Sequence, residues 1–378
     1  MDQPVRVLHV LAAMDMAGTE TLLMNLYRNI NRDKVQFDFA VSAEGKCAYD
    51  DEIESLGGRI FHYPRYRVSN HFKYKKWWEK FLDQHKEYKI IHGHIGSTAA
   101  IYLGIAKKKG LFSIAHSHGT REKLSVHSIV YGVYSYPTRF TADYFIGCSR
   151  KALTDRYGKK VGNDPHISMV LNNGIDARKF IYSEQMRSSV RSSYSVNGSK
   201  IVIGTVGRFT AAKNPQEIIR ICSELKRREV EFEFWWFGKG ELEEEIREGI
   251  TKNGLQDRIK LLGTRSDIYN ALQGMDIFLF PSLWEGLGIS CIEAQASGLP
   301  TLCSDTVPSE ARVTDNIRYL TLNDTKLWCD TIEETAENIR KPDYIRPDNY
   351  ELIRKSGYDI SAVADELSSM YLNWSESK

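Results

Sequence analysis

The sequence predicts an α/β protein of two Rossmann-like domains, each a parallel sheet covered by helices. Three observations lead there. Short β-branched and aromatic runs alternate with amphipathic stretches along the whole chain, the order that joins parallel strands through helical crossovers. The runs form two series, and 378 residues exceed what one ordinary core organises. Between the series lies a stretch rich in Ser, Arg, Asn and Gly with few aliphatics, as a connection between domains would be.

The first series of strand-like runs covers 5–11, 37–41, 90–92, 112–116, 144–146 and 168–171. The second covers 201–206, 232–237, 259–262, 277–280 and 301–304. Helical periodicity marks 19–30, 217–227 and 241–250, and a last helix near 360–374 repeats Val363, Leu367, Met370 and Tyr371. The break is placed within 176–200, with 182–200 as the connection. This gives domains 1–180 and 181–360, and a terminal helix 361–378 that could pack on either. Parallel sheets bind ligands at the carboxyl ends of their strands, so the expected site is a cleft on which both sheets face.

Composition narrows the function. Hydrophobic residues make up 42% and charged residues 26%, as in soluble globular proteins. A net charge of +2 argues against nucleic acid as a partner. The six cysteines, Cys47, Cys148, Cys222, Cys291, Cys303 and Cys329, contain no C-x-x-C pair, which suits a reducing compartment and argues against a structural metal. The apolar stretch 5–14 alternates and carries His9, so it reads as a buried strand and not a signal peptide. No run approaches the roughly 20 apolar residues of a membrane span. A cytoplasmic protein is expected.

Chemistry concentrates after the strands of the second series. In Gly204-Thr-Val-Gly-Arg-Phe-Thr-Ala-Ala-Lys-Asn-Pro, Arg208 and Lys213 lie in a strand-to-helix turn. Asn214 is placed to cap the helix, Pro215 fits its first position and Glu217 that of a capping-box acid. An Arg fork and a Lys point charge beside a glycine turn suit a diphosphate; alone, they equally fit two solvated loop cations. Phe237-Gly-Lys-Gly-Glu-Leu supplies Gly238 and Gly240, but Glu243 stands where a dinucleotide fingerprint needs its third glycine. A nicotinamide dehydrogenase is therefore disfavoured, and the glycines read as a tight turn beneath a nucleotide.

The most informative stretch is Phe280-Pro-Ser-Leu-Trp-Glu-Gly-Leu-Gly-Ile-Ser-Cys-Ile-Glu-Ala. A strand ends near Pro281 and a helix opens near Ser290, so amides from Gly288 and Ile289 onward would favour an anion. Glu285 sits in the loop and Glu293 in the helix; if the helix start faces a diphosphate, Glu285 can reach sugar hydroxyls and Glu293 ribose hydroxyls. Two acids flanking a tight turn is the plainer alternative.

Glu285 and Glu293, separated by seven residues and followed by Ala296-Ser-Gly-Leu-Pro, resemble the E-x7-E signature of retaining GT-B glycosyltransferases of family 4 (glycosyl transferases group 1). The turn bearing Arg208 and Lys213 resembles that family's diphosphate site. Gly238-Lys-Gly-Glu and Leu262-Gly-Thr-Arg-Ser resemble its nucleotide-pocket turns, which implies that Thr264 and Arg265 frame the base. Met16-Ala-Gly-Thr-Glu resembles its first glycine loop with Ala17 in place of one glycine, leaving Gly18 as a phosphate contact and Glu20 as a first-turn acid. The histidine that the family keeps near the transferred sugar best matches His118, in Ala115-His-Ser-His-Gly; a strand-end histidine held by a carbonyl is the plainer reading. His92 and His94 receive no role.

The resemblance implies an acceptor-binding first domain, a nucleotide-sugar-binding second domain, and transfer of a hexose or N-acetylhexosamine with retention. The donor is expected to be a UDP-sugar, and the acceptor a saccharide or lipid-linked saccharide, as in capsule or exopolysaccharide assembly. No cofactor beyond this co-substrate is expected. No Asp-x-Asp motif and no histidine–carboxylate metal set are present in the sequence, so no metal is expected. A UDP-sugar epimerase of the same fold and a non-catalytic scaffold subunit are the alternatives. Finally, 65–89 interleaves cations and aromatics. It reads either as a contact with an anionic membrane, placing the protein peripherally on the inner face, or as a helix with core aromatics and solvated lysines.

Overall fold

A computed structural model describes residues 3–15, 18–119, 132–196 and 200–376. The chain forms two compact units, one of residues 1–175 and 357–378, the other of 176–356.

In the first unit, seven strands pair in parallel: β1 (Val5–Leu11), β2 (Val35–Val41), β3 (Ile60–His62), β4 (Ile90–Gly93), β5 (Phe112–Ser117), β6 (Tyr144–Gly147) and β7 (Ser168–Val170). Their order is β3-β2-β1-β4-β5-β6-β7. All residues of β2 and β4 are buried, as expected of strands covered on both faces. The last helix, Ile360–Glu376, belongs to this unit and contacts β1, β2, β4 and the helix Gly18–Asn29. Val363, Leu367 and Tyr371 are buried in the core it closes, and Trp374 stacks on Phe112 with ring centroids 5.0 Å apart.

The second unit orders six parallel strands β10-β9-β8-β11-β12-β13. They are β8 (Ile201–Val206), β9 (Phe232–Phe237), β10 (Ile259–Gly263), β11 (Ile277–Phe280), β12 (Thr301–Ser304) and β13 (Ile317–Leu320). Ile218, Ile221, Cys222 and Leu225 of the helix Pro215–Arg227 pack on this sheet's core.

Three local expectations are corrected. Within the supposed connection 182–200, Glu184–Ser193 is a helix, capped by Ser183 accepting from the Met186 amide. Its polarity is used inward: Arg187 and Arg191 both pair with Asp276, at 2.6 and 3.0 Å. Asn214 adopts a left-handed conformation without a side-chain cap. Glu217 forms no capping box; buried, it pairs with Arg220 and accepts from Thr325 Oγ1 at 3.0 Å.

Candidate functional site

In the second unit strand order reverses between β8 and β11, the place where open α/β sheets bind ligands. Arg208 and Lys213 stand in the turn after β8. Arg208 is exposed, and its guanidinium has no hydrogen bond or ion pair among the described residues. Lys213 Nζ donates to Glu285 Oε1 at 2.6 Å, the two side chains 23% and 12% exposed, and also lies 4.5 Å from the centre of the Phe280 ring. The loop after β11 is fixed at its root: the Leu283 amide donates to the Ala212 carbonyl at 2.8 Å, and Ser282 O accepts from Ser304 Oγ and Thr306 Oγ1.

The three turns after β8, β9 and β10 are tied together by backbone hydrogen bonds. The Phe209 amide donates to Lys239 O at 3.0 Å, Leu242 N to Phe209 O at 3.1 Å, and Gly238 N to Gly263 O at 2.8 Å. These contacts give the two glycines a reason within the fold itself. At Gly238, φ is +148° and a Cβ would fall 1.9 Å from the Gly207 carbonyl oxygen. A Cβ at Gly240 would lie 2.4 Å from Phe209 O. Both glycines are required by contact between turns. Thr264 is exposed. Arg265 is engaged by Asp267 at 2.7 Å and Tyr194 Oη at 3.0 Å, so its side chain is committed within the unit.

Gly288, with φ +88° and ψ 57°, introduces the helix Ile289–Ala296 without any side-chain cap. The Cys291 amide donates to the Gly288 carbonyl at 2.9 Å, and the amides before it are met by no side-chain cap. Glu293 rises from this helix half-buried, with no hydrogen-bond partner among the described residues. Burial pushes its carboxyl up to about 7. Glu285 and Glu293 are therefore unlike: one is paired with a cation, the other desolvated and alone.

In the first unit Gly18 opens the helix Gly18–Asn29. A Cβ there would meet nothing within 4 Å, so the protein's own packing does not require this glycine. Met16 and Ala17, of the same loop, lie outside the described residues. His118 follows β5 half-buried, and burial lowers it to about 4, so it is a neutral imidazole near pH 7. Among the described residues no carbonyl holds it: its Nε2 stands 2.8 Å from Nδ1 of His94.

His94 belongs to a histidine cluster that sequence reading missed. His9 Nδ1 lies 3.0 Å from His94 Nε2, His92 Nδ1 lies 2.6 Å from Tyr371 Oη, and the His116 and His118 ring centroids are 3.9 Å apart. The strand order β1-β4-β5 creates this, with His9 directly opposite His92 in the register. The pairs His92-x-His94 and His116-x-His118, alternating along two strands, were the available signal. No carboxylate joins the cluster among the described residues. Its imidazoles alone could hold a metal, in the sets His9, His92, His94 and His94, His116, His118.

Two Rossmann-like units with parallel sheets of seven and six strands define the GT-B class. Over residues 186–341 the chain matches the family model described as glycosyl transferases group 1. Over 97% of its length it is 30% identical to EpsF of Bacillus subtilis (strain 168), which is named as a glycosyltransferase, covering 96% of that protein. It is 26% identical to the Escherichia coli UDP-Gal:alpha-D-GlcNAc-diphosphoundecaprenol alpha-1,3-galactosyltransferase, over 78% of this chain and 77% of the relative. Anabaena Alr3699/HepE, solved in complex with UDP, shares the fold with a TM-score of 0.78 at 17% identity, over 98% of this chain and 100% of that one. The chain belongs to the group 1 glycosyltransferases and is a transferase enzyme.

Among the described residues no helix is long and apolar enough to cross a membrane. The stretch 65–89 contributes the helix His71–Gln84, which buries Tyr74, Trp78, Phe81 and Leu82 and exposes Lys73, Lys76 and Lys80. Phe72 departs from this pattern at 85% exposure, and Val68, earlier in the same stretch, is exposed as well.

Proposed function

We propose that the protein transfers a hexose or N-acetylhexosamine, with retention, from a UDP-sugar to a saccharide or lipid-linked saccharide during polysaccharide assembly. The observation that carries this reading is the Lys213–Glu285 pair at the β8/β11 reversal, beside the uncapped start of the helix Ile289–Ala296. An incoming diphosphate competes with Glu285 for Lys213 and takes Arg208 as a second cation and the Gly288–Ile289 amides as donors. Glu285, released from Lys213, accepts from hydroxyls of the donor sugar, while Glu293 accepts from the ribose. Thr264 and the Arg265 backbone border the base, and Gly238 shapes that border through its contact with Gly207.

In the first unit, Gly18 allows close approach of a phosphate at a helix start. His118, neutral and half-buried, offers a hydrogen bond to a sugar hydroxyl. Leaving-group charge is met by Arg208, Lys213 and amides, without a required metal. The UDP-galactose and diphosphoundecaprenol in the name of the Escherichia coli relative support the donor and acceptor classes. Exposed Arg65, Arg67, Lys73, Lys76 and Lys80 around Phe72 and Val68 suit an anionic membrane surface, where a lipid-linked acceptor would reside.

The test offers UDP-glucose, UDP-galactose, UDP-N-acetylglucosamine and GDP-mannose with candidate acceptors, following nucleotide release and the product anomer by NMR. Acceptor-dependent UDP release with a retained anomer is expected. Interconversion of UDP-sugars without net UDP release would replace this reading with epimerisation.

A further inference from the structure

From the geometry of His94, His116 and His118 we infer a binding site for a borderline divalent cation of the Zn2+ class at the carboxyl edge of β4 and β5. One ring nitrogen from each lies within 4.8 Å of the others, and His94 Nδ1 and His118 Nε2 are 2.8 Å apart. Tetrahedral zinc, with Zn–N near 2.0–2.1 Å, separates its donor nitrogens by about 3.3 Å. The His94–His118 separation falls short of that spacing, and no donor pair in the set exceeds 4.8 Å. A cation entering the site opens the His94–His118 hydrogen bond by about 0.5 Å, a movement within reach of side-chain rotation.

His116 supplies the independent indication. It is 3% exposed, yet neither ring nitrogen has a hydrogen-bond partner among the described residues. A buried polar group left unsatisfied is costly and uncommon, and a metal bond removes that cost for one nitrogen. The donor chemistry selects the ion. Three imidazoles without a carboxylate suit Zn2+, Co2+, Ni2+ or Cu2+, whereas Mg2+ and Ca2+ require oxygen ligands. Three protein ligands leave a fourth position for water.

The neighbouring set His9, His92, His94 is the weaker candidate. His9 and His92 are fully buried, and His92 Nδ1 is already engaged by Tyr371. His118 is half-exposed and gives the outer set an entrance. If His118 serves the transferred sugar, as the proposed function has it, cation binding removes it from that role and inhibits transfer. This consequence alone rests on the functional reading.

The experiment titrates Co2+ and then Zn2+ into the full-length protein without any sugar, following the intense visible bands of tetrahedral Co2+. One Co2+ per chain is expected, displaced by one Zn2+. Affinity should fall at least 100-fold in His116→Leu and in His118→Asn, and stay unchanged in His166→Asn, an exposed histidine elsewhere. His116→Leu removes no hydrogen bond, so an unchanged circular dichroism melt is expected for it; His118→Asn gives up the bond to His94 at a half-exposed position, and its melt confirms that the variant is folded. Absence of stoichiometric binding by the folded wild type overturns the site, as does binding that survives both substitutions. Binding lost in His92→Leu but not in His116→Leu also overturns it, in favour of the inner set. If Zn2+ binds as described but transfer is not inhibited, the site stands and the role of His118 falls.

Discussion

Lys213 Nζ stands 2.6 Å from Glu285 Oε1, joining the turn after β8 to the loop after β11. The sequence suggested separate duties, phosphate for the lysine and sugar for the acid. In the structure each is the other's counter-ion, so the proposed donor site requires that binding exchange one partner for another. Lys213→Ala and Glu285→Ala should each lower turnover by about 100-fold or more, as loss of a preorganised charge in a transfer site does. Melting temperatures should shift by no more than about 5 °C. Near-normal turnover in both variants would remove this pair from the site.

Glu293 should announce itself through pH. Its carboxyl is held at about 7 in the folded chain, against roughly 4.3 in an unfolded one. The folded state therefore binds the proton more tightly, and this group's contribution to stability falls as pH rises from about 4.3 to 7. Glu293→Gln removes that slope, so its melting temperature should gain on the wild type between pH 5 and pH 8. Nucleotide affinity should drop about tenfold with the loss of a charged acceptor. A melting difference that is flat across this range would contradict the desolvated carboxyl.

Two glycines make a contrasting pair. Gly238→Ala forces a Cβ to within 1.9 Å of the Gly207 carbonyl at a φ of +148° and should cost about 2–4 kcal/mol, read by denaturant unfolding. Gly18→Ala meets no atom within 4 Å and should leave stability unchanged. A rise in donor KM in that variant would report contact with the ligand.

The terminal helix is integral to the first unit. Tyr371→Phe leaves His92 Nδ1 without its partner in a buried setting and should cost about 1–2 kcal/mol. A chain ending at Ser356 loses Val363, Leu367 and Tyr371 from the core and should be recovered only as insoluble material. Soluble, cooperatively melting protein from that truncation would contradict the packing.

The basic stretch can be tested by sedimentation with phosphatidylglycerol vesicles. Binding should weaken with salt and be lost on joint Lys73→Glu, Lys76→Glu and Lys80→Glu substitution, while phosphatidylcholine vesicles bind little. Equal sedimentation with both lipids, or none with either, would leave the helix His71–Gln84 an ordinary one.

Much of this was legible in the sequence, for identifiable reasons. The runs 201–206, 232–237, 277–280 and 301–304 coincide with strands because central strands are buried on both faces and read as unbroken apolar runs. Ile60–His62 and Ile317–Leu320 escaped notice. They are edge strands of three and four residues, partly exposed, and carry too little pattern to find. The helix Glu184–Ser193 read as a connection because its arginines serve Asp276 from across the fold. The histidine cluster was hidden for a similar reason. His9, the pair His92 and His94, and the pair His116 and His118 come from three separate stretches of sequence, and only the order β1-β4-β5 assembles them.

The central claim is that the strand-end turns of the second unit hold a nucleotide diphosphate, and Arg208 tests it most directly. Its exposed guanidinium has no partner among the described residues, so Arg208→Ala should be structurally silent. Calorimetric titration with UDP should show a dissociation constant raised about 10- to 100-fold in Arg208→Ala, the worth of charge-assisted hydrogen bonds to phosphate, with an unchanged melting temperature. UDP binding of equal strength in wild type and variant would contradict the placement of the diphosphate.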